Sequence, residues 1–380
     1  MKYLLVVLTL AGAALSSEVR FQFIENHIYV PVSVNGQERL WVFDTGAGAS
    51  VIDAAFAQEL DLKTVGEVQA MGASGTVPAK FVEVPGFVLG DINQGEQTMV
   101  ALDIATLLRG RSGIEVAGIL GFDFVSQFVT RVDFANATLT FTRPDEFEYQ
   151  GTGHELAMIF ANNIPAVEFA VEDSLGGLWR LDLGAAVSVF HHPAVAAHNL
   201  TDRPGVELLA GGIGGLALNR IVRFASAELA GYRLERPLVM VPLEPGPGAL
   251  ANGRYMGTLG SSVLYNFILT MDYPGSRVFV EPNENFGQRF PFDRSGLQLE
   301  RAESGGVSVR YVSPGTPAAE SGLAAGDEVV AVDGQAVEEI GGLVQVRDLL
   351  RDEPGTSRGV LVRRGEKERE FEITLRDLFD

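Results

Sequence analysis

The chain has 380 residues, no cysteine, and 29 Lys and Arg against 49 Asp and Glu, which gives a formal net charge of −20. The lack of cysteine excludes disulfides, thiol nucleophiles, iron–sulfur clusters and cysteine-ligated zinc, and the acidic balance argues against nucleic-acid binding, which needs a basic surface. Because 46% of the residues are hydrophobic, the chain can form cores and is not a disordered protein. At roughly 100–200 residues per domain, its length predicts two or three domains.

The N-terminal segment has the pattern of a secretory signal peptide. Met1-Lys2 carries one positive charge, an apolar run extends from Tyr3 to Leu15, and small residues surround Ser16. A membrane anchor is the alternative, but a span needs about 20 apolar residues and this run is shorter. We therefore predict a leader over residues 1–16, cleavage after Ser16, and a mature protein that is periplasmic or secreted and has no stable membrane span.

Both tryptophans of the chain lie in one repeated pattern. Residues 40–52 and 178–190 are identical at seven of thirteen positions, and both contain Asp-x-Gly, at Asp44 and at Asp182. A glycine motif ends 77 residues after Asp44 in the first copy and 78 residues after Asp182 in the second. A phenylalanine and an aspartate then recur seven and twelve residues after each glycine motif. Landmarks in register over this length indicate two copies of one unit, which we place at residues 20–145 and 151–285.

Each copy has the pattern of β structure. Short apolar runs are alternating or continuous and are bounded by Gly, Pro or Asn, which favours strands over helices. Short helices are predicted at residues 53–60 and 193–200, and the strands that end the two copies at residues 138–141 and 277–280. The predicted fold class is therefore mainly β, with two homologous lobes.

The repeated aspartates end strongly apolar strands, where a charge is costly unless it is paired or hydrogen-bonded. The glycine of each motif permits a tight turn that aims the carboxylate. Two such copies suggest that Asp44 and Asp182 meet on a pseudo-two-fold axis, and carboxylates about 3 Å apart share one proton. The ionised one can then take a proton from a bound water while the protonated one donates to a carbonyl oxygen, which is general acid–base hydrolysis. The alternative is that one or both aspartates only cap a turn.

The two repeats resemble the aspartic protease family, in its pepsin-like and retropepsin-like forms. Each lobe of that family carries Asp-Thr/Ser-Gly and, later, two hydrophobic residues followed by a glycine; Asp44-Thr45-Gly46 with residues 119–121 matches both elements. The resemblance implies a bilobal β fold and an aspartic endopeptidase that needs neither a metal nor an organic cofactor. It assigns the catalytic roles to Asp44 and Asp182, and the support of this pair to Thr45, Gly46 and Gly184.

The same family closes a mobile hairpin flap over its substrate. A glycine-containing segment lies at the matching distance after the first aspartate, and the second copy has a glycine-rich counterpart at residues 211–215. An ordinary hairpin turn is the alternative for both segments. The residues predicted to bind an extended peptide are Met71, Gly72, Ala73, Ser74, Gly75, Gly212 and Ile213.

The second copy departs from the family pattern at Leu183, where Thr or Ser is usual. The usual hydroxyl bonds across to the opposite loop, and its loss costs about 1 kcal/mol, or roughly 1–3 kcal/mol where a buried donor is stranded. Since enzymes lower their barriers by more than about 8 kcal/mol, we expect a looser carboxyl pair that still works. Thr258 replaces a hydrophobic residue, which is a milder change, and the first flap lacks the tyrosine familiar from pepsins.

Residues 293–380 form a different unit. Residues 313–319, 322–323 and 326–329, a helix pattern at 343–350 and a hairpin at 360–375 together resemble a PDZ domain of the bacterial type. Such a domain adds a peptide as a strand at a sheet edge, and the backbone N–H groups of a loop hold the terminal carboxylate. The alternative is a domain that only packs against the lobes. The matching loop residues are Gly296, Leu297, Gln298 and Leu299, with Gln298 where a second glycine is common.

Two further sets of polar residues follow the repeated motifs. His191, His192 and His198 follow the second motif, but they lack the spacing and the intervening Glu of a zincin, so we predict no metal site. Asp133 and Asp272 each precede an aromatic residue where a strand meets a turn, and we interpret them as turn residues.

Three hypotheses follow. The first is an exported aspartic endopeptidase that acts on a peptide or protein, with a PDZ domain that binds peptide or protein termini. The second is an inactive protease-like scaffold that works as a PDZ adaptor, which Leu183 favours. The third is a pair of lobes that binds peptides without turnover.

Overall fold

The computed structural model describes residues 16–104, 113–302 and 305–379. Strands dominate all three parts of the described chain, as the apolar patterning predicts. Residues 1–15 of the predicted leader lie outside the described part, and Ser16, its last predicted residue, begins the first strand. Within the described residues, no helix is long and apolar enough to cross a membrane.

In the part of the first lobe that the structure describes there are thirteen strands, two short α-helices and a 3₁₀ turn at its end. The strands are β1 Ser16–Arg20, β2 Gln22–Ile24, β3 His27–Val34, β4 Gln37–Phe43, β5 Val51–Asp53, β6 Thr64–Met71, β7 Thr76–Val84, β8 Phe87–Leu89, β9 Ile92–Gln94, β10 Gln97–Leu102, β11 Gly118–Leu120, β12 Val129–Asp133 and β13 Thr138–Thr142. The helices are α1 Ala54–Glu59 and α2 Phe122–Val125, and the 3₁₀ turn is Pro144–Glu146.

The second lobe repeats this order of elements. Its strands are β14 His154–Ala157, β15 Ile159–Ala161, β16 Ile164–Val171, β17 Leu175–Leu181, β18 Val189–Phe190, β19 Val206–Gly212, β20 Gly215–Arg223, β21 Ser226–Leu229, β22 Tyr232–Glu235, β23 Leu238–Pro242, β24 Gly257–Leu259, β25 Phe267–Asp272 and β26 Arg277–Pro282. Its helices are α3 His192–Ala197 and α4 Ser261–Leu264, with 3₁₀ turns at Leu200–Asp202 and Ala249–Ala251.

Each lobe has the same crossing of strands behind its aspartate motif. In the first lobe β11 lies between β4, to which it is parallel, and β5, to which it is antiparallel. In the second lobe β24 lies in the same way between β17 and β18. The duplication found in the sequence is therefore a duplication of topology, and it places the two Asp-x-Gly turns at equivalent strand ends.

A six-stranded sheet joins the two lobes. Its order is β1-β13-β12-β25-β26-β14, and β12 of the first lobe pairs antiparallel with β25 of the second. The predicted turn residues Asp133 and Asp272 end these two strands. Each accepts a backbone N–H from the turn that follows and pairs with an arginine, as expected for capped turns.

One hydrophobic core runs through both lobes and contains the two tryptophans. Trp41 lies so close to Gly118 that a Cβ there would be 2.3 Å from the indole ring, and Trp179 has the same relation to Gly257. The glycine that opens each later motif is therefore needed for packing, because no larger residue fits beneath the ring.

The C-terminal domain has its own core and its own sheet. The sheet order is β27-β28-β29-β31-β32, with β27 at an open edge. The predicted helix and hairpin of this domain are both present. Its strands are β27 Leu297–Arg301, β28 Val307–Val312, β29 Glu328–Val332, β30 Gln335–Ala336, β31 Ser357–Arg364 and β32 Lys367–Thr374, and its helices are α5 Pro317–Ser321, α6 Val337–Ile340 and α7 Leu343–Leu349.

Candidate active site

The two predicted aspartates directly follow β4 and β17 and face each other across the lobes. Asp44 donates its backbone N–H to Leu120, and Asp182 donates its own to Leu259, so each residue is anchored to the strand that crosses behind it. The side chains turn back onto their own loops, where Gly46 donates to Asp44 Oδ1 at 2.7 Å and Gly184 donates to Asp182 Oδ1 at 2.9 Å. These bonds fix both carboxyl groups in orientation.

The glycines of the two turns let the carboxyl groups meet. A Cβ built on Gly46 would lie 2.2 Å from Asp182 Cγ, and one built on Gly184 would lie 2.3 Å from Asp44 Cγ. Each carboxyl group therefore packs directly on the turn of the opposite lobe. In this geometry the carboxyl group of Asp182 is close enough to raise the pKa of Asp44.

The pKa of Asp44 is raised well above its ordinary value. Burial is the largest cause and the adjacent Asp182 carboxylate is the second, while the Gly46 N–H and the charge of Arg180 act in the opposite direction. Two carboxyl groups at this separation therefore share one proton. The arrangement supplies a hydrogen-bond donor and a proton acceptor side by side, which general acid–base chemistry requires.

Thr45 links the two turns through one buried hydroxyl. Its Oγ1 donates to the carbonyl of Leu181 at 2.9 Å and accepts the backbone N–H of Leu183 at 3.0 Å. Leu183 provides no hydroxyl in return; its side chain is fully buried in the core. The hydroxyl that links the two turns therefore comes from the first lobe alone, and Leu183 contributes packing where the family has a second hydroxyl.

Replacing Thr45 by Val is expected to destabilise the protein by about 1–3 kcal/mol, because Leu183 N–H and Leu181 C=O are stranded in a buried position. Val matches Thr in shape, so the effect comes from the hydroxyl. Chemical denaturation measures the loss, and Thr45→Ser, which keeps the hydroxyl, is the matched control. Equal stability of the Val and Ser variants would contradict this account of the crossing bonds.

The predicted flaps are two hairpins whose tips touch. Met71 ends β6, which pairs with β7, and Gly212 ends β19, which pairs with β20. Ser74 donates its N–H to the carbonyl of Ile213 at 3.1 Å, and its Oγ accepts the N–H of Gly212 at 3.4 Å. Ile213 also packs against an apolar cluster of the first lobe. The two hairpins therefore close across the gap between the lobes.

A segment at residues 245–252, which we call the strap, holds the first flap from the other side. Ala249 donates its N–H to the carbonyl of Gly72 at 3.0 Å. The strap is itself held by two histidines: His191 Nδ1 lies 2.9 Å from the carbonyl of Asn252, and His192 Nε2 accepts the N–H of Gly246 at 3.2 Å. The sequence offered no signal for this strap beyond its glycines and prolines.

A polar layer in the second lobe was missed by sequence reasoning. Arg180 lies in β17, where the first lobe has Val42, and it donates to the carbonyl of Gly46 at 3.2 Å. Thr258 lies where the first lobe has Ile119, and its hydroxyl is 3.0 Å from His191 Nε2. A charge two residues before Asp182 in an otherwise apolar strand was the available signal. The substitution at Thr258 is therefore explained by its buried histidine partner.

Burial lowers the pKa of His191 to about 4. This histidine is held neutral in the folded state, so its contribution to stability is present above pH 6.5 and is lost as the pH falls toward 4. The difference corresponds to roughly 3 kcal/mol. We expect the free energy of unfolding of His191→Gln, which keeps a donor and an acceptor, to fall less over this range than that of the unchanged protein. Parallel pH dependence in urea titrations would contradict the assignment.

His27, at the start of β3, is a second residue that the sequence did not single out. Its Nδ1 lies 2.8 Å from the carbonyl of Glu25. Burial lowers the pKa of His27, while Glu25, the Asp182 carboxylate and the carbonyl of Gly184 act in the opposite direction. The β2–β3 turn of the first lobe is thereby connected to the aspartate motif of the second.

The loop predicted to bind a peptide carboxylate is already satisfied by its own chain. Asp293 accepts the N–H groups of Ser295 and Gly296, and the N–H of Leu297 bonds Ser295 Oγ at 3.0 Å. Leu297 and Leu299 bury their side chains in the domain core. A peptide carboxylate would have to displace Asp293 and Ser295 from these donors.

Gln298 points away from the loop and binds the second lobe. Its Oε1 accepts the N–H of Leu209 at 2.7 Å, and its Nε2 donates to the carbonyl of the same residue at 3.0 Å. The residue predicted from the sequence to contact a peptide terminus thus contacts the strand of a flap. This orientation follows from β27, in which the residues on either side of Gln298 face the core.

No group of three or more His, Asp or Glu in the described residues is arranged to hold a metal ion.

Comparison with known families agrees with the two units found above. Residues 30–124 match the model of a family described as aspartyl protease, and residues 308–364 match that of the PDZ domain. Asp182 lies outside the first match, and no curated protein matches the chain. The chain thus contains an aspartyl protease domain and a C-terminal PDZ domain.

Proposed function

We propose that this chain, with its aspartyl protease domain and its PDZ domain, is an exported aspartic endopeptidase. The observation that carries the proposal is the meeting of Asp44 and Asp182, each hydrogen-bonded by the glycine of its own motif and packed on the glycine of the other. Water between the two carboxyl groups is the nucleophile. The flaps enclose an extended peptide, and the PDZ domain binds peptide or protein termini.

In this mechanism the carboxylate accepts a proton from water as water attacks the peptide carbonyl. The protonated carboxyl group, which we assign to Asp44, donates to the carbonyl oxygen, and a tetrahedral diol forms. Asp182 then passes the proton that it took from water to the amide nitrogen as the C–N bond breaks, and a hydroxyl of the diol returns its proton to Asp44 as the carboxylic acid product forms. Thr45 and Arg180 are positioning residues, because they hydrogen-bond the motif turns of the opposite lobe.

An inactive scaffold is the second candidate, and Leu183 is the observation that favours it. The structure gives Leu183 a backbone bond to Thr45, so one crossing link between the turns persists without a hydroxyl at this position. This finding supports the active enzyme over the scaffold.

The experiment is a digestion of a mixed peptide library by the mature protein and by Asp44→Asn, from pH 3 to pH 8. Cleavage by the first and not by the second is the expected result. If neither protein cuts at any pH and both still bind peptides, the endopeptidase proposal is wrong.

A further inference from the structure

The PDZ domain contacts both lobes at once. On the second lobe, Gln298 holds Leu209 in the flap strand β19, and Ser313 Oγ donates to the carbonyl of Glu207 in the same strand at 2.6 Å. On the first lobe, Glu25 in the β2–β3 turn forms ion pairs with helix α7 and the residues that follow it. The domain therefore fixes a flap of one lobe relative to a turn of the other.

The contact with the first lobe lies at the open edge of the PDZ sheet. Arg347 in α7 reaches the edge strand β27 and donates to the carbonyl of Leu299 at 2.6 Å. Its other terminal nitrogen donates to Glu25 at 2.6 Å, and Arg351 donates to the second oxygen of Glu25 at 2.9 Å. The carbonyl of Leu299 thus accepts from Arg347 the hydrogen bond that it would otherwise accept from an added peptide strand.

The Glu25 contact is shielded from water. The exposed fractions of the side chains are 14% for Glu25, 16% for Arg347 and 24% for Arg351. A shielded carboxylate held by two arginines is a strong and selective contact, because charge-assisted bonds are stronger than neutral ones. The two arginines therefore specify a carboxylate as the group that fits this edge.

We propose that Glu25 is an internal competitor for the peptide-binding groove of the PDZ domain, which lies at the edge strand β27 beside helix α7. The external partner is an extended acidic peptide whose carboxylate replaces that of Glu25 on Arg347 and Arg351. Binding of this peptide breaks the ion pairs between the PDZ domain and the first lobe and leaves the packing of Leu343 near Gly113. Flap strand β19 is then no longer tied to that lobe through Gln298, and the flaps open more readily. The binding part stands independently; the activation part rests on the proposed endopeptidase function.

The β2–β3 turn, which carries Glu25, connects the PDZ groove to the carboxyl pair of Asp44 and Asp182. The backbone carbonyl of Glu25 holds His27, which lies beside Asp182 and Gly184. Arg223 in β20 pairs with Asp377 near the C-terminus at 3.1 Å, and this anchor is separate from Glu25. Peptide binding would therefore release one end of the domain while the other stays attached to the second lobe.

The binding test uses full-length protein carrying Asp44→Asn, so that a probe cannot be cut. The probes are two fluorescein-labelled octapeptides that differ only in having Glu or Gln at alternating positions. We expect Glu25→Gln to bind the Glu peptide at least about tenfold more tightly than its Asp44→Asn parent does, since a charge-assisted bond corresponds to a tenfold factor or more. Arg347→Gln should abolish the preference for Glu over Gln.

The matched control is Glu59→Gln, which removes an exposed ion pair with Arg39 elsewhere on the first lobe. It should bind both peptides as the parent does. Equal affinity of the parent and Glu25→Gln, equal binding of the two peptides, or no binding by Glu25→Gln would each overturn the proposal.

The activity test uses the protein with both aspartates intact. Glu25→Gln and Gln298→Ala are each expected to raise kcat/KM several-fold, and the Glu peptide should activate the unchanged protein but not Glu25→Gln. An unchanged kcat/KM in both variants would overturn the activation part. If the unchanged protein and both variants cleave nothing, the endopeptidase function fails, and the binding result still decides whether Glu25 competes for the groove.

Discussion

Asp182→Asn is expected to lower kcat/KM for peptide cleavage by roughly 10²–10⁴-fold, the range that positioned acid–base groups contribute. Asp44→Asn should lose as much, because a single carboxyl group cannot be both the proton donor and the proton acceptor. The structure motivates the pairing directly, since each carboxyl group packs on the turn that carries the other. Initial-rate kinetics on one peptide selected from the library measure both losses.

The double variant separates a carboxyl pair from two independent groups. If Asp44 and Asp182 act as one unit, the double variant should be about as slow as either single variant. Folding of all three proteins is checked by thermal unfolding. Full activity of Asp182→Asn would show that the two-carboxylate mechanism is wrong, even if Asp44 proved essential.

The raised pKa of Asp44 has a consequence for stability as well. A carboxyl group whose pKa is higher in the folded state contributes stability below its unfolded pKa and loses it as the pH rises through the folded value. Asn does not titrate, so Asp44→Asn should have a higher Tm than the unchanged protein at pH 7. The difference should shrink at pH 3.5.

Cleavage should also decline as the pH rises through the raised pKa of Asp44, because the proton donor of the pair is then lost.

The sequence predicted those parts of the fold that repetition makes visible. Landmarks in register predict the two copies, the strands that lead into Asp44 and Asp182, the short helix after each motif and the two glycine-containing hairpins. The structure has all of them. These features rest on local patterns, in which alternation and glycine act over a few residues. The order of elements in the C-terminal domain was predictable for the same reason.

Contacts between distant segments were not predictable in this way. Arg180 and Thr258 look like isolated departures from an apolar pattern, and their meaning depends on His191 and Gly46, which lie far away in the chain. Gln298 looked like part of a peptide-binding loop, but packing against Leu209 turns it toward the flap. Periodicity specifies which face of a strand is polar and carries no information on what that face will meet.

Gly46→Ala is expected to lower kcat/KM at least about a hundredfold, because displacing a catalytic group by about 1 Å has an effect of this size. The added Cβ would lie 2.2 Å from Asp182 Cγ, so the carboxyl group or the turn must move. Overpacking of this kind should also lower the free energy of unfolding by about 1–3 kcal/mol, which chemical denaturation measures. Gly184→Ala tests the same contact from the other lobe, where the overlap is with Asp44.

Gly95→Ala is the matched control, since a Cβ at that position of the first lobe has nothing within 4 Å. It should leave both activity and stability near those of the unchanged protein. The comparison isolates close approach from the general effect of replacing a glycine. A Gly46→Ala protein that cleaves at the rate of Gly95→Ala would mean that the carboxyl groups do not need to be as close as the structure places them. Loss of activity with retained folding would instead show that the glycine serves the meeting of the two carboxyl groups rather than the fold.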